Sequence, residues 1–579
     1  MTGVVLPKAR EKRFLPADFE VTDWDSLSPI LSALKNRPIY SVEDLKQWLM
    51  DWSEVDSFLN EEFSKRYVAI TTNTQDEEAQ QRYQYAVQEL LPNIAPFEDA
   101  LNRKWVESPF VGQLTDPAFQ IALRGVKNDV EIFREANIPL QTEAQLKQRD
   151  YGSLFSKMTI EHEGQELTFQ QANVLLEDQD RALREKIHRQ IHHRMLQDRE
   201  ALEDLFDDLV RLRHQMALNA GFDNYRDYKF KALGRFDFTV EDCEAFHNSV
   251  QKAIVPLVEQ LHRIRKEKLG VDALRPWDLK VDWSGQPPLK PFDSVEDLVD
   301  KTVSCLSDID PEFGETLQIM KAMEHLDLDS RTGKSPGGYN MPLHFTGVPF
   351  IFMNAANTQG DVFTLIHESG HAAHSLSMRD YPLSASKQPP SEVAELASMT
   401  MELLAMDACQ VYFEDPKDLL RAKTTQLVDV LLTLPWVATI DKFQHWIYTH
   451  PAHSQEERKQ AWLEIYQQFT SSVVNREGLE EFISYAWHRQ LHIFEVPFYY
   501  IEYGMAQLGA IAIWKRFREQ PEQAVQDFKE ALRLGYTQTV GDIYEAAGVR
   551  FDFSSDYVQE LAAFVWDELQ VLIAEIETV

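Results

Sequence analysis

The sequence predicts a mainly α-helical globular chain, on three observations. Apolar residues recur at helical spacing over long stretches, and strand-like runs are few and short. Across 579 positions, 44% hydrophobic and 26% charged residues leave ample apolar mass for a core. Thr159 to Phe169 alternates around Glu163-Gly164 and reads as a small hairpin. Leu183, Ile187, Ile191 and Met195 then recur every four residues, and Leu202, Leu205, Leu209, Leu212 and Met216 continue the stripe. That stretch is one long helix or two end to end, stopped by Gly221. His188, His192 and His193 fall opposite the stripe and read as exposed. Residues 274–294, with Pro276, Pro287, Pro288 and Pro291, read as a long surface connection.

Two further runs, Tyr339 to Phe345 and Pro349 to Asn354, flank Thr346-Gly347-Val348 and read as a second hairpin. Its edge offers a place for an extended peptide to pair by strand addition. Gly337-Gly338 precedes it in a glycine-rich lead-in that has no phosphate-loop spacing. This segment is either a flexible substrate loop or an ordinary turn. Thr358-Gln359-Gly360-Asp361 resembles a capping box with Asp in place of Glu, and Val362, Phe363, Leu365 and Ile366 supply the apolar face of the helix it starts. Pro389-Pro390-Ser391, followed by good helix formers, starts another.

The net charge of −35 opposes nucleic-acid binding and adsorption to anionic membranes. No run of 18 apolar residues suggests a membrane span, and the first residues contain no apolar leader region. Cys243, Cys305 and Cys409 are scattered and odd in number, so neither a disulfide framework nor a cysteine zinc site follows, and a reducing cytoplasm is the expected setting.

The chemistry concentrates in His367-Glu368-Ser369-Gly370-His371, an H-E-x-x-H motif inside the helix that Thr358 starts. Residues four apart lie about 40° apart around a helix and one turn along it, so both imidazoles can reach one metal ion while the carboxylate between them acts on bound water. A catalytic zinc usually has three protein ligands. His374 points the right way, but seven residues advance ~10.5 Å along the axis, too far for a third imidazole at a Zn–N bond near ~2.1 Å. His374 is therefore an outer residue, substrate-facing or packed. The metzincin pattern needs Gly at 374 and His at 377, and this chain has His374 and Ser377. The next helix supplies Glu392, Glu395 and Glu402. Glu392 lies in its first turn, where an acid often serves the helix dipole. Glu395 and Glu402 share a face, so Glu395 is the expected ligand and Glu402 the acceptor for a ligand imidazole N–H.

This pattern, with Glu395-x-x-Ser398-x-x-x-Glu402, resembles the thimet oligopeptidase and oligoendopeptidase F family of zinc peptidases. The stretch His492-Ile493-Phe494-Glu495-Val496-Pro497-Phe498-Tyr499-Tyr500-Ile501-Glu502-Tyr503-Gly504 is similar to the His/Tyr-rich segment of the bacterial oligoendopeptidase F and Pz-peptidase branch. The resemblance is strongest from about residue 200 onward. It implies a two-lobed helical zincin body, with a deep substrate cleft and a small β-sheet beside the active-site helix. The chain then divides into an N-terminal helical region, 1–200, and a catalytic region, 201–579. One Zn2+ per chain would be held by His367, His371 and Glu395, with Glu402 behind them. Glu368 would be the general base and then return the proton to the leaving amine. Tyr503, with Tyr500 or Tyr499 and His492, would stabilise the oxyanion and hold the peptide backbone. On residue chemistry alone the three tyrosines could equally be an aromatic core stripe.

The expected activity is hydrolysis of short oligopeptides by a zinc metalloendopeptidase. A same-clan exopeptidase, either a dipeptidyl carboxypeptidase or a metallocarboxypeptidase, is the near alternative. A peptide-binding protein with structural zinc is the distant one, disfavoured by Glu368 and by only three ligand candidates.

Overall fold

The computed structural model describes residues 4–8 and 10–578. Helices make up most of it, and the strands make two small sheets. Buried side chains separate into two main clusters. The smaller runs from Leu15 to Leu123 and takes in Leu383; the larger runs from Ile132 to Leu569. Residues 132–200 thus pack with the larger lobe, while the proposed division at residue 200 follows chain order.

The helix Val42–Thr72 ties the smaller lobe to the site region. Glu61, 4% exposed, accepts bonds from Phe345 N at 2.9 Å, Thr346 N at 2.6 Å and Thr346 Oγ1 at 2.6 Å. At its end, Thr71 Oγ1 and the Tyr339 hydroxyl are hydrogen-bonded at 2.5 Å, and Ser335 N donates to Thr71 O at 2.8 Å.

The first hairpin is present, β1 (Thr159–His162) against β2 (Gln165–Thr168), with positive φ at Glu163 and Gly164 as a tight antiparallel turn requires. The long stripe resolves into two end-to-end helices, Arg181–Gln197 and Arg199–Ala220, and Gly221 closes the second at φ 90°.

Three expectations are corrected. His188 is buried, since its ring stacks on His192 and meets Trp277 edge-on. Residues 274–294 form a connection with little regular structure, but it is not superficial: Asp278 is fully buried and paired with Arg181 at 2.7 Å and Arg184 at 2.9 Å. The second hairpin is shorter and has an extra neighbour. Its strands are β4 (Tyr339–Met341) and β5 (Phe350–Ala355), and β3 (Leu326–Asp329) pairs with β5 in parallel on the other side. Pro342 has no N–H for the ladder, which ends β4 early.

Four helices carry the site. They are the motif helix Gln359–Ser377, the acid helix Ser391–Ala405, the long helix Pro416–Thr449 and the tyrosine helix Ile501–Glu519. The predicted capping box forms: Asp361 N is bonded to Thr358 Oγ1, and Thr358 N to Asp361 Oδ2. The acid helix is buried on nearly every side, between the motif helix and the tyrosine helix.

Candidate active site

The motif helix and the acid helix bring their side chains to one point. His367 Nε2 lies 3.3 Å and His371 Nε2 3.4 Å from the same oxygen, Glu395 Oε2. Donor atoms of these three residues all lie within 4.8 Å of one another, and neither Glu392 nor Glu402 joins that cluster. The approach depends on Gly370. A Cβ there would sit 2.6 Å from Ser398 Cα and 2.7 Å from Ala397 O, so the helix backbones touch at this residue.

Outer groups orient His367 and Glu395. His367 Nδ1–H donates to Glu402 Oε1 at 2.7 Å, and Glu402 Oε2 accepts from Gln426 Nε2 of the long helix at 2.7 Å. With its proton on Nδ1, His367 turns Nε2 toward a carboxylate oxygen, a contact that is favourable only if Nε2 carries a second proton, which Glu395 and Glu402 favour, or a cation in the proton's place. The donor set of two imidazole nitrogens and one carboxylate oxygen therefore fits a divalent metal. Glu395 is held by Ser398 Oγ at 3.0 Å on Oε2 and by the Tyr499 hydroxyl at 2.7 Å on Oε1. Burial alone would raise Glu395, but the imidazoles of His371 and His367 hold it well below the usual carboxylate range.

Glu368 is 7% exposed, and its Oε2 is buried without a hydrogen-bond partner. Burial pushes its carboxyl above the ordinary range, while the two imidazoles pull the other way. Asn340 Nδ2, from β4, donates to the Glu368 carbonyl at 3.1 Å and fixes the sheet against the motif helix. His374 is 1% exposed, and burial pushes it down to about 3; it is a neutral, packed residue.

The downstream residues gather as an aromatic cluster. The His492 ring lies 6.0 Å from Tyr499, 4.8 Å from Tyr500 and 5.7 Å from Tyr503, centroid to centroid. All four are half-buried. Burial and then the Glu395 carboxylate push the Tyr499 and Tyr503 hydroxyls well up, so both remain O–H donors. Tyr499 spends its proton on Glu395, whereas the Tyr503 hydroxyl makes no hydrogen bond among the described residues.

The turn into these tyrosines is strained. Phe498 has φ 67°, the left-handed region that bulky residues avoid. Its N–H donates to Gln444 Oε1 at 2.7 Å, and its carbonyl accepts from Arg235 Nη2. Gly337 also has positive φ (95°). Asn354 Nδ2 donates to the carbonyls of Ser335 and Gly337, both at 2.9 Å, so the glycine-rich lead-in is pinned rather than free. A Cβ at Gly338 would sit 3.3 Å from Phe352 O, against β5.

Gln426, Gln444, Trp436 and Gln490 carry no motif, and nothing in the sequence marked them. Trp436 Nε1–H donates to Gln490 Oε1 at 2.9 Å, and Gln490 Nε2 faces His492 Nδ1 at 2.7 Å. An indole nitrogen only donates, so the Gln490 atom it meets must be the oxygen. The amide nitrogen also only donates, so His492 Nδ1 accepts and the ring proton sits on Nε2. Burial pushes His492 down to about 4, which favours this neutral form.

Residues 174–563 match Peptidase family M3, and residues 14–133 match the Peptidase M3 N-terminal domain. Oligopeptidase PepF of Bacillus subtilis (strain 168) is 24% identical over 351 residues, a match covering 59% of this chain and 50% of that protein. An oligoendopeptidase F homolog of Borreliella burgdorferi is 22% identical over 485 residues, covering 79% of this chain and 77% of its own length. The solved structure of Pz peptidase A with inhibitor 2 superposes with a TM-score of 0.91 at 25% identity, over 96% of this chain and 99% of that one.

Proposed function

The chain belongs to peptidase family M3, and on that footing we propose that it is a zinc-dependent metalloendopeptidase that hydrolyses bonds within short, unstructured oligopeptides. The carrying observation is the convergence of His367 and His371 on Glu395, with an unpartnered Glu368 oxygen in the same motif turn. His367, His371 and Glu395 would hold one Zn2+, and Glu402 would set the His367 tautomer. A zinc ion bound there supplies Lewis acidity toward the scissile carbonyl and acidifies water.

Glu368 takes the proton from the attacking water and delivers it to the leaving amine. A buried carboxyl raised above its ordinary range is a better proton acceptor than a solvated one. Tyr503 O–H and His492 Nε2–H donate to the developing oxyanion, Tyr500 joins the peptide-holding cluster, and Tyr499 acts through Glu395. β4 is the edge strand of its sheet, which supports reading that edge, with Gly337-Gly338 leading into it, as the place for an extended substrate backbone. No described helix is long and apolar enough to cross a membrane, and the three cysteines are free and buried, which fits a reducing cytoplasm. The charge of −35 argues against nucleic acid as a partner.

The test is a fluorogenic peptide blocked at both ends. Internal cleavage, abolished by a chelator and restored by Zn2+, is expected. Removal of terminal residues alone, from unblocked peptides only, would make this an exopeptidase. Bound zinc with no cleavage across a peptide library would leave only a binding protein.

The His492 tautomer yields a sharper prediction. Gln490→Glu keeps shape and length but replaces the amide with two acceptor oxygens. His492 would then protonate Nδ1 to reach the new carboxylate, and Nε2 would lose its proton. We expect kcat to fall roughly tenfold with KM little changed, less than for outright loss of an oxyanion donor because Tyr503 remains. Imidazole 15N shifts should report the switch, and an unchanged tautomer would reject the relay.

A further inference from the structure

A second group of metal-ligating side chains lies inside the larger lobe. The helix Val240–Ala253 carries Cys243 and His247, and the long helix carries Asp441 and His445. Each pair is four residues apart, so it shares one helix face, and the two helices pack together. Cys243 and Asp441 are 0% exposed, His247 3% and His445 8%. Donor atoms of Cys243, Asp441 and His445 lie within 4.8 Å of one another; His247 stands just outside that cluster and joins it through Asp441, to which its Nε2 is hydrogen-bonded at 2.8 Å.

The geometry repeats that of the proposed catalytic site. There two imidazoles, with rings 5.0 Å apart and 85° between their planes, aim Nε2 at one Glu395 oxygen. Here the rings of His247 and His445 are 5.7 Å apart, also at 85°, and both aim Nε2 at Asp441 Oδ2, at 2.8 and 3.1 Å. Asp441 Oδ1 and His445 Nδ1 are buried without hydrogen-bond partners, and His445 Nε2, though 3.1 Å from Asp441 Oδ2, is not aligned to bond it. Unsatisfied polar atoms in a dry core need an explanation, and an ion is one.

We propose that Cys243, His247, Asp441 and His445 form a second, closed metal site for a zinc-class divalent cation. A thiolate, a carboxylate and two neutral imidazoles carry two negative charges, which a dication cancels; a neutral complex tolerates burial that a lone carboxylate does not. Four protein ligands with no open position make a structural site. A soft sulfur beside imidazoles selects zinc over magnesium or calcium. Arg235 lies nearby: its Nη2 bonds Glu502 at 2.9 Å and the Phe498 carbonyl, while its Nε and Nη1 are buried without partners, so its positive charge competes with a cation here. The Nε2–Oδ2 separations are shorter than the ~3.3 Å edge of a tetrahedron with bonds near 2.0–2.1 Å, so loading moves both imidazoles off Asp441 by a few tenths of an ångström and draws His247 in toward the other donors. The ion would clamp the helix Val240–Ala253 to the long helix. That helix also holds Glu402 through Gln426, Gln490 through Trp436 and Phe498 through Gln444.

The full chain is stripped with chelator, equilibrated with zinc chloride and desalted, then assayed by mass-spectrometric metal analysis and zinc-edge X-ray absorption. Two zinc ions per chain are expected, with a sulfur shell at about 2.3 Å, because the proposed catalytic ligands contain no sulfur. Cys243→Ser should remove the sulfur shell and one ion while peptide cleavage persists. If that variant does not fold, Glu395→Ala carries the test, since it should keep one sulfur-ligated zinc while losing the catalytic ion. A wild-type chain whose zinc has no sulfur neighbour overturns the proposal and leaves a metal-free His247–Asp441–His445 hydrogen-bond cluster. The catalytic reading stands or falls separately, on the nitrogen- and oxygen-ligated ion and on peptide turnover.

Discussion

Glu368→Gln is expected to reduce kcat by about 10²–10⁴-fold, the range for losing a positioned general base, while the chain stays folded and keeps its metal. The amide has the shape of the carboxyl group but cannot take up a proton. Nothing else that positions the site passes through this side chain. The Asn340 bond goes to the Glu368 main-chain carbonyl, and Ser398, Tyr499 and Glu402 hold the ligand residues directly. The native Glu368 Oε2 has no partner to lose. Removing a buried carboxyl in favour of a neutral amide should leave thermal stability equal or slightly higher. Turnover is measured with a quenched fluorescent peptide, and metal content on the same sample. Undiminished turnover in the metal-loaded variant would remove Glu368 from the base role. Loss of metal together with activity would mean that the residue matters for holding the ion.

What could be read in the sequence is what local physics writes there. The motif turn, the Thr358–Asp361 cap, the Pro-Pro-Ser helix start and the shared face of Glu395 and Glu402 each depend on residues within one or two helical turns. They appear in the structure as spaced. His188 departs from the exposed position its spacing predicts because its helix is covered on a second side by Trp277 and Phe482, from segments far along the chain. Strand β3 has no signal of its own, because Leu326-Asp327-Leu328-Asp329 is too short to outweigh its acids without the parallel partner β5. The residues that tune the site were also illegible. Gln426, Trp436 and Gln444 occupy one helix whose buried polar groups are interleaved with apolar ones, and each meets its partner 24 to 54 positions away. The left-handed Phe498 has no sequence signal, since nothing near it favours positive φ; Arg235 and Gln444 impose it from other helices.

Gly370→Ala tests the other half of the site, the contact that makes two helices into one metal-binding surface. In the motif helix the same substitution at two positions should act with opposite sign. At Gly360, in the first turn, an added Cβ meets only Thr358 Oγ1 at 3.5 Å, an ordinary contact. Alanine there should stabilise the helix by up to about 1 kcal/mol through propensity alone. At Gly370 the methyl would lie 2.6 Å from Ser398 Cα, 2.7 Å from Ala397 O and 3.0 Å from Ser398 N. These are backbone atoms of a buried helix that also packs against the tyrosine helix, so they cannot swing aside as a side-chain tip would. The motif and acid helices must part, at a cost of about 1–3 kcal/mol for overpacking. Separation acts where Glu395 Oε2 meets the two imidazoles, because Gly370 lies between the ligand turn and Ser398, which holds Glu395. A ligand displaced by about 1 Å costs on the order of 10²-fold in rate. We therefore expect Gly370→Ala to lower kcat/KM by about that factor, or more, and to weaken zinc retention during dialysis, with far-UV circular dichroism unchanged. Gly360→Ala should keep full activity and raise the melting temperature. If both variants behave alike, helix propensity rather than helix approach governs this turn, and the close contact is not what assembles the site.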